Sequence, residues 1–467
     1  MHDLSEQNPS VMPLLDYTKR MFEDSEDIVH RTFPEISLEI IYSSVLIDNS
    51  AMYREVIVPL SNIKESEVND LMKREQFVAL ESGEDIVAKI LDGHVAIFYQ
   101  QLAYVISEYG PEYRSISVSP SEMVVAGPND AFVESLNTNI SLIRRRLKNP
   151  TLKFKSYVIG SQAKSKMVIA YLEDHVNQDW LSELDQRIEE IQTDSIQDTH
   201  ILVQYIEDDQ ISMFPQYHIT QRPDVVISKL LEGKIVGLLE GSPNAFSAPS
   251  QFFDFLESPD DYGQRWIYAI IIRFFRYLAV IVTLFGTALY VAITTYHYEM
   301  VPQELLVSLS ESRSKVPFPP VIEALILELT IEFLREAGIR LPIRIGQTLG
   351  IVGGIVLGEA SVAAGFTSNI LVITIAGSTL ASLVLPNYTM SIAFRSFRFL
   401  FIMLAALFGN FGIFVSVIFL VNHLAGLTSL NTPYLYPLAP AYPKTWKYTF
   451  MRSLYQKNKK RGRFSRE

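Results

Sequence analysis

The chain of 467 residues contains no cysteine, which excludes disulfides, thiol catalysis and cysteine-ligated metal. Aspartate is absent from Trp266 onward, where 18 basic residues and nine glutamates give a formal charge of +9. Up to Arg265 the balance is reversed, with 22 of the 40 Lys+Arg, 43 of the 52 Asp+Glu and a charge of −21. Charge is nearly missing from Phe274–Ile293, Ile345–Ala364, Ile370–Leu385 and Phe399–His423. A hydrocarbon slab of roughly 30 Å needs about 20 apolar residues, so the second half reads as polytopic membrane protein. Met1–Arg20 lacks an apolar run and carries Asp3, Glu6 and Asp16, so the N-terminal half is expected to remain unexported. Its acidity argues against a nucleic-acid partner. No G-x-x-x-x-G-K-[ST], G-x-S-x-G, H-E-x-x-H or EF-hand loop occurs, so an enzyme reading has no residues to rest on. No cofactor or metal is implied. His297 beside Glu299 reads as an interface anchor.

The first half divides into a flexible polar lead (1–26) and two α/β subdomains of related plan (27–128 and 129–262). Val87–Gly93 resembles Ile227–Gly233 at a spacing of 140 residues, and each precedes a short β-like run, His94–Tyr99 and Lys234–Leu239. The pattern predicts an amphipathic helix closed by glycine and then a buried strand. Further strands are expected at Leu38–Ile47, Lys153–Ile159 and Met167–Leu172, with a helix at Trp180–Ile191. Of Arg144-Arg145-Arg146, most are expected to be solvated and one or two to meet the membrane surface or a neighbouring acidic domain. Phe252, Phe253 and Phe255 are expected where the soluble part meets the bilayer.

The helical membrane domain is placed at 263–442 and a basic tail at 443–467, with nine Lys/Arg in Lys444–Glu467. Such a tail obeys the positive-inside bias and attracts anionic headgroups. Arg273 and Arg276 are expected to snorkel at the cytoplasmic interface. In Val321–Ala337 an apolar stripe (Ile322, Ile326, Leu329, Phe333) opposes Glu328, Glu332 and Arg335. This reads as an interfacial amphipathic helix or the wall of a wet vestibule. Four crossings then place Arg395 and Arg398 outside, against the bias. Gly346, Gly350, Gly354 and Gly358 recur every fourth residue, a stripe that lets helices approach closely. It serves packing inside one subunit or self-association, with the opposite face (Val352, Val356, Leu357, Glu359) lining a pore. Glu359 is taken as the lone intramembrane acid.

Val316-Pro317-Phe318-Pro319, Leu334–Gly338, Ile345-Gly346-Gln347, Gly350–Gly354 and Pro433-Tyr434 through Pro437–Pro440 resemble the GerA family, the A subunits of spore germinant receptors. In the first half the resemblance rests on Gly127-Pro128, Ala131-Phe132, Asn139-Ile140, Leu142–Arg146, Phe214-Pro215-Gln216, Arg222-Pro223-Asp224 and Leu230–Gly233. Met213 and Gln221 depart from the usual Pro and Glu. The resemblance implies a role in germination at the spore inner membrane, with N-domain and tail cytoplasmic. It implies assembly with a transporter-like B subunit and a lipoprotein C subunit, and an ion path formed by a homo-oligomer. A non-conducting scaffold, or an accessory protein like the stage V sporulation AF paralogues, is the alternative. A secondary transporter is disfavoured by the absence of inverted membrane repeats.

Overall fold

The computed structural model describes residues 13–110, 122, 127–341, 354, 358–443 and 446. The first unit contains α1 (Leu14–Met21), β1 (Ile28–Phe33), β2 (Leu38–Ser43), β3 (Val78–Leu80), α2 (Gly83–Leu91), β4 (His94–Tyr99) and β5 (Leu102–Ser107). The second contains α3 (Leu136–Arg146), β6 (Leu152–Ile159), β7 (Ser165–Leu172), α4 (Gln178–Glu189), α5 (Thr199–Ile206), β8 (His218–Thr220), α6 (Pro223–Leu231), β9 (Ile235–Leu239) and β10 (Ala245–Ala248). Both sheets are antiparallel, ordered β1-β2-β4-β5-β3 and β6-β7-β9-β10-β8. Position by position the two orders are the same, so the soluble part is one plan built twice.

The paired helix–glycine–strand segments occupy the same place in each sheet. Ser82 caps α2 by accepting from the Asp85 backbone N–H, whereas α6 opens with Pro223 at its first turn, where a missing N–H costs nothing. Both helices end before a glycine of positive φ, Gly93 at 81° and Gly233 at 83°. A Cβ on Gly233 would stand 2.5 Å from the His175 carbonyl oxygen, so this turn requires glycine. The segment expected as a flexible lead holds α1, whose Tyr17 ring fills the space beside Gly83. Of the three arginines Arg144 is the one that meets the neighbouring acidic unit, and it is fully buried. It grips Asp27 of the first unit through Nη2 at 2.6 Å and Nε at 3.1 Å and lies 4.8 Å from the Phe154 ring centroid. The two units are joined by this ion pair.

The second half is helical: α7 (Trp266–Thr295), α8 (Gln303–Arg313), α9 (Pro320–Arg340), α10 (Asn369–Leu383), α11 (Tyr388–Phe408) and α12 (Asn410–Gly426). Among the described residues α7 and α11 are long and apolar enough to cross a membrane, while α10 and α12 are shorter apolar helices. The run Phe399–His423, expected as one span, is broken at Gly409, whose φ of 60° and ψ of −138° suit only glycine readily. The chain reverses there and α12 returns against α11. Their backbones nearly touch, since a Cβ on Gly412 would lie 1.9 Å from the Leu404 carbonyl oxygen.

Contacts fix the direction of each helix. The proximal end of the bundle, beside the soluble domain, holds the start of α7. There Arg273 and Arg276 reach Asp261. The distal end holds Tyr296, whose hydroxyl donates to the Ala406 and Leu407 carbonyls at the end of α11. The start of α10 is also distal, where the Asn369 N–H donates to Ser312. Ile339 of α9 and Leu383 of α10 reach the proximal crevice, and His423 of α12 meets Ser212 there. Gly365 approaches the distal Lys315 carbonyl, 2.9 Å from a Cβ built on it. Ile339 is thus proximal and Gly365 distal.

Candidate site: a polar seam through the bundle and its joint to the soluble domain

A file of polar side chains runs through the apolar bundle. On α9, Phe333 is 66% and Leu329 47% exposed while Glu328 is 0%, so the acidic stripe faces inward and the apolar stripe outward. That corrects the interfacial reading. In water the charged face would turn out, but against lipid the apolar face does, and charges turn to the bundle interior. Glu328 accepts from the Thr287 hydroxyl of α7 at 2.7 Å and pairs with Arg398 of α11 at 2.6 Å. Arg398 also donates to Ser378 of α10 at 3.2 Å and to Glu332 at 3.5 Å. Arg395 stands 3.7 Å from Glu332. Toward the proximal end Arg335 donates to Ser382 at 3.3 Å. Toward the distal end Glu323 accepts from the Ser368 N–H at 3.3 Å and faces Arg313 at 3.8 Å, with Tyr290 hydrogen-bonded to Ser368 at 2.7 Å.

Four helices thus meet around one network. Arg395 and Arg398, which four crossings would put on the outer side of the membrane, lie in the core of the bundle, and Glu359 is not a lone acid: it is exposed, whereas Glu323 and Glu328 are buried. A pair with good geometry roughly offsets the cost of taking two ions out of water, and breaking it is strongly unfavourable. The network therefore specifies one helix arrangement and resists any other.

The joint below the seam is built from side chains of both halves. Asp261 holds Arg273 at 3.0 Å and Arg276 at 2.7 Å, and Arg276 also donates to the Leu256 carbonyl at 3.2 Å. Both arginines are buried; they anchor the soluble domain to α7 and do not snorkel. Phe214 packs on Phe394 and Phe397 of α11 and His423 of α12, with ring centroids 5.7, 5.0 and 5.9 Å away. Tyr434 donates to the Pro215 carbonyl at 2.8 Å, and Ser429 donates to the Gln216 carbonyl at 2.7 Å. Asp208 closes the joint. It pairs with Arg187 of α4, accepts from the Thr428 hydroxyl, and accepts from the Leu430 and Asn431 N–H groups at 3.2 and 3.3 Å. Phe253 and Phe255 lie in the bundle's own core and Phe252 packs against it.

Next to the joint a crevice of about 1490 Å³ lies between soluble domain and bundle. Arg222 borders it. This side chain donates to Asp224 at 3.1 and 2.8 Å and to the Pro128 carbonyl at 2.9 Å, so Arg222-Pro223-Asp224 braces the start of α6 against the Gly127-Pro128 turn. Burial and the neighbouring Asp208 and Asp209 push the Glu207 carboxyl up to about 7. Burial and the Lys229 ammonium push His218 down to about 3. Asp254 is held well below the usual carboxylate range by Lys229 and Lys234.

Of the pore and packing residues named from sequence, Gly346, Gly350, Val352, Val356 and Leu357 lie outside the described residues. Gly354 and Gly358 are described. A Cβ on Gly354 would meet nothing within 4 Å, and one on Gly358 only Val372 at 3.8 Å.

Residues 16–464 match the family described as Bacillus/Clostridium GerA spore germination protein. The chain belongs to the GerA family. It is 41% identical over 449 residues to spore germination protein GerQA of Bacillus cereus, covering 92% of this chain and 89% of that one. It is 36% identical over 379 residues to the uncharacterized membrane protein YfkQ of Bacillus subtilis (strain 168), covering 80% and 74%. The N-terminal domain of the A subunit of the Bacillus megaterium spore germinant receptor GerK3 is 25% identical to this chain. It covers 51% of this chain and 94% of that one at a TM-score of 0.40. As a GerA protein the chain is a non-enzymatic spore germination receptor A subunit, a member of a germinant receptor complex and a membrane protein with helical spans. The joint is the part that reasoning from sequence missed. Its signal was present in Phe214-Pro215-Gln216 and Pro433-Tyr434, two family motifs far apart in sequence that meet in space.

Proposed function

We propose that this GerA subunit forms the ion path of a nutrient-responsive receptor by assembling with copies of itself in the spore inner membrane. A transporter-like B subunit and a lipoprotein C subunit complete the complex. The observation that carries the reading is the open face at Gly354. A glycine stripe that packed inside one subunit would have a neighbour against it; among the described residues Gly354 has none. The stripe thus suits close contact with another copy, with Gly346 and Gly350 continuing it and Val352, Val356, Leu357 and Glu359 on the pore side. The polar seam then acts as the latch that holds each subunit's helices in the closed arrangement.

The helix directions support a cytoplasmic soluble domain. We count α9 as a pass and Phe399–His423 as two, which together with the expected span at Ile345–Ala364 makes six passes in this reading. The soluble domain and the basic tail then share one side, where nine Lys/Arg satisfy the positive-inside bias. Because the chain has no cysteine, Ser361→Cys supplies a single crosslinking site on the glycine face, two turns after Gly354. Copies joined through position 361 in membranes, and lost when Gly354→Leu is added, are the expected result. Absence of any crosslinked copies, together with potassium release from spores unaffected by Gly354→Leu, would sink the oligomeric path in favour of a scaffold.

A further inference from the structure

The crevice beside the joint is larger than a small nutrient needs, at about 1490 Å³ against the roughly 300–1,000 Å³ of ordinary ligand pockets. Its wall has two characters. One side belongs to the soluble domain and carries Glu207, Arg222 and Lys229; the other is made of Ile339, Leu383 and Val384 at the proximal ends of α9 and α10. Leu383 is 65% exposed, and the start of α11 beside it carries the exposed Tyr388. An aromatic ring at a helix end marks the headgroup level of a bilayer. The crevice thus opens where headgroups lie, with its polar wall facing the cytoplasmic side and its apolar wall continuous with the lipid-facing helices.

The cations along the polar wall are already committed. Arg222 is held by Asp224, Lys229 by Asp254 and Glu232, and Arg276 by Asp261. A phosphate alone would find no uncommitted positive charge among these three. Glu207 differs from them. Its Oε1 accepts from the Gln216 N–H at 3.4 Å, and the charges acting on it are the neighbouring acids Asp208 and Asp209. Among the described residues it forms no ion pair. A partly buried carboxylate surrounded by acids favours a cation brought from outside.

We infer that this crevice binds a membrane lipid whose headgroup bears a primary ammonium, with the ammonium on Glu207 and the acyl chains over Leu383 and Val384. The test uses the full chain in nanodiscs of phosphatidylethanolamine or of phosphatidylglycerol, with lipid retained after gentle detergent extraction counted by native mass spectrometry. Phosphatidylethanolamine is expected to be retained about tenfold better than phosphatidylglycerol, since a charge-assisted contact of this kind is worth at least that factor. Glu207→Gln is expected to abolish the preference without unfolding, because it removes a charge from a poorly solvated place. Val384→Glu is expected to lose retention through the acyl side. A third arm adds soluble ethanolamine to phosphatidylglycerol discs. Displacement or equal occupancy by ethanolamine would overturn the lipid source and make the occupant a free amine. Equal retention of the two lipids, or a preference that survives Glu207→Gln, would overturn recognition of the ammonium.

Discussion

Replacing Arg398 by Met keeps most of the side chain's length and removes its charge. The structure then leaves Glu328, fully buried, with the Thr287 hydroxyl as its remaining hydrogen-bond donor at 2.7 Å. It also takes a donor from Ser378 and one from Glu332. Breaking a buried pair by deleting one partner costs about 3–5 kcal/mol, most of it the penalty of the stranded charge. For a helical region of this size that corresponds to roughly 10 °C in melting temperature. Removing both charges in Arg398→Met/Glu328→Gln relieves the stranded acid, so the double variant should regain most of the loss. Thermal unfolding of detergent-solubilised protein reads the three values, and potassium release from spores reads whether the latch has opened. The single variant should be the least stable and should leak without nutrient. A single variant as stable as the parent, or a double variant no more stable than Arg398→Met, would refute the reading of this network as one coupled unit.

Glu207 gives a pH prediction. Its folded carboxyl is raised from 4.5 to about 7, so between those values the native state holds a proton that the unfolded chain has released. Stability from this group is therefore present below pH 4.5 and lost as pH rises toward 7. In detergent free of amine lipid, Glu207→Gln should match the parent at pH 5 and exceed it at pH 8 by roughly 1–2 kcal/mol, discounted for partial exposure; a pH-independent difference would contradict the assignment. Gly412→Ala puts a methyl 1.9 Å from the Leu404 carbonyl and must push α11 and α12 apart. Roughly 1–3 kcal/mol of destabilisation is expected from such overpacking, measured by thermal melting, and an unchanged melt would show that the hairpin is looser than described.

What was legible in the sequence is what local rules govern. Gly93 and Gly233 each end a helix and start a strand, and that spacing was enough to expose the duplicated plan. The apolar and charged stripes of α9 were also read correctly from their period. Which stripe faced inward was not, because periodicity is the same in water and in lipid and only the solvent decides the sign. Arg144 and Arg398 escaped for another reason. Their partners Asp27 and Glu328 lie 117 and 70 positions away in the chain, and nothing local distinguishes a paired arginine from a solvated one. Gly409 was hidden inside an apolar run long enough to be one span, since hydropathy records composition and not the single residue that can take its φ and ψ.

The two halves of the molecule are tied at both ends of the bundle's path. Asp261 grips the first turns of α7 through Arg273 and Arg276, and α7 carries Thr287 and Tyr290 directly into the seam. Asp208 grips the turn that follows α12, and α12 is bound to α11, the helix that carries Arg395 and Arg398. A shift of the second α/β unit relative to the membrane must therefore move α7 and α11 together or strain the Thr287–Glu328–Arg398 chain that links them through α9. Helices are stiff along their length, and a packed core has discrete arrangements with little between. The soluble domain is for that reason coupled mechanically to the seam through both of its joints.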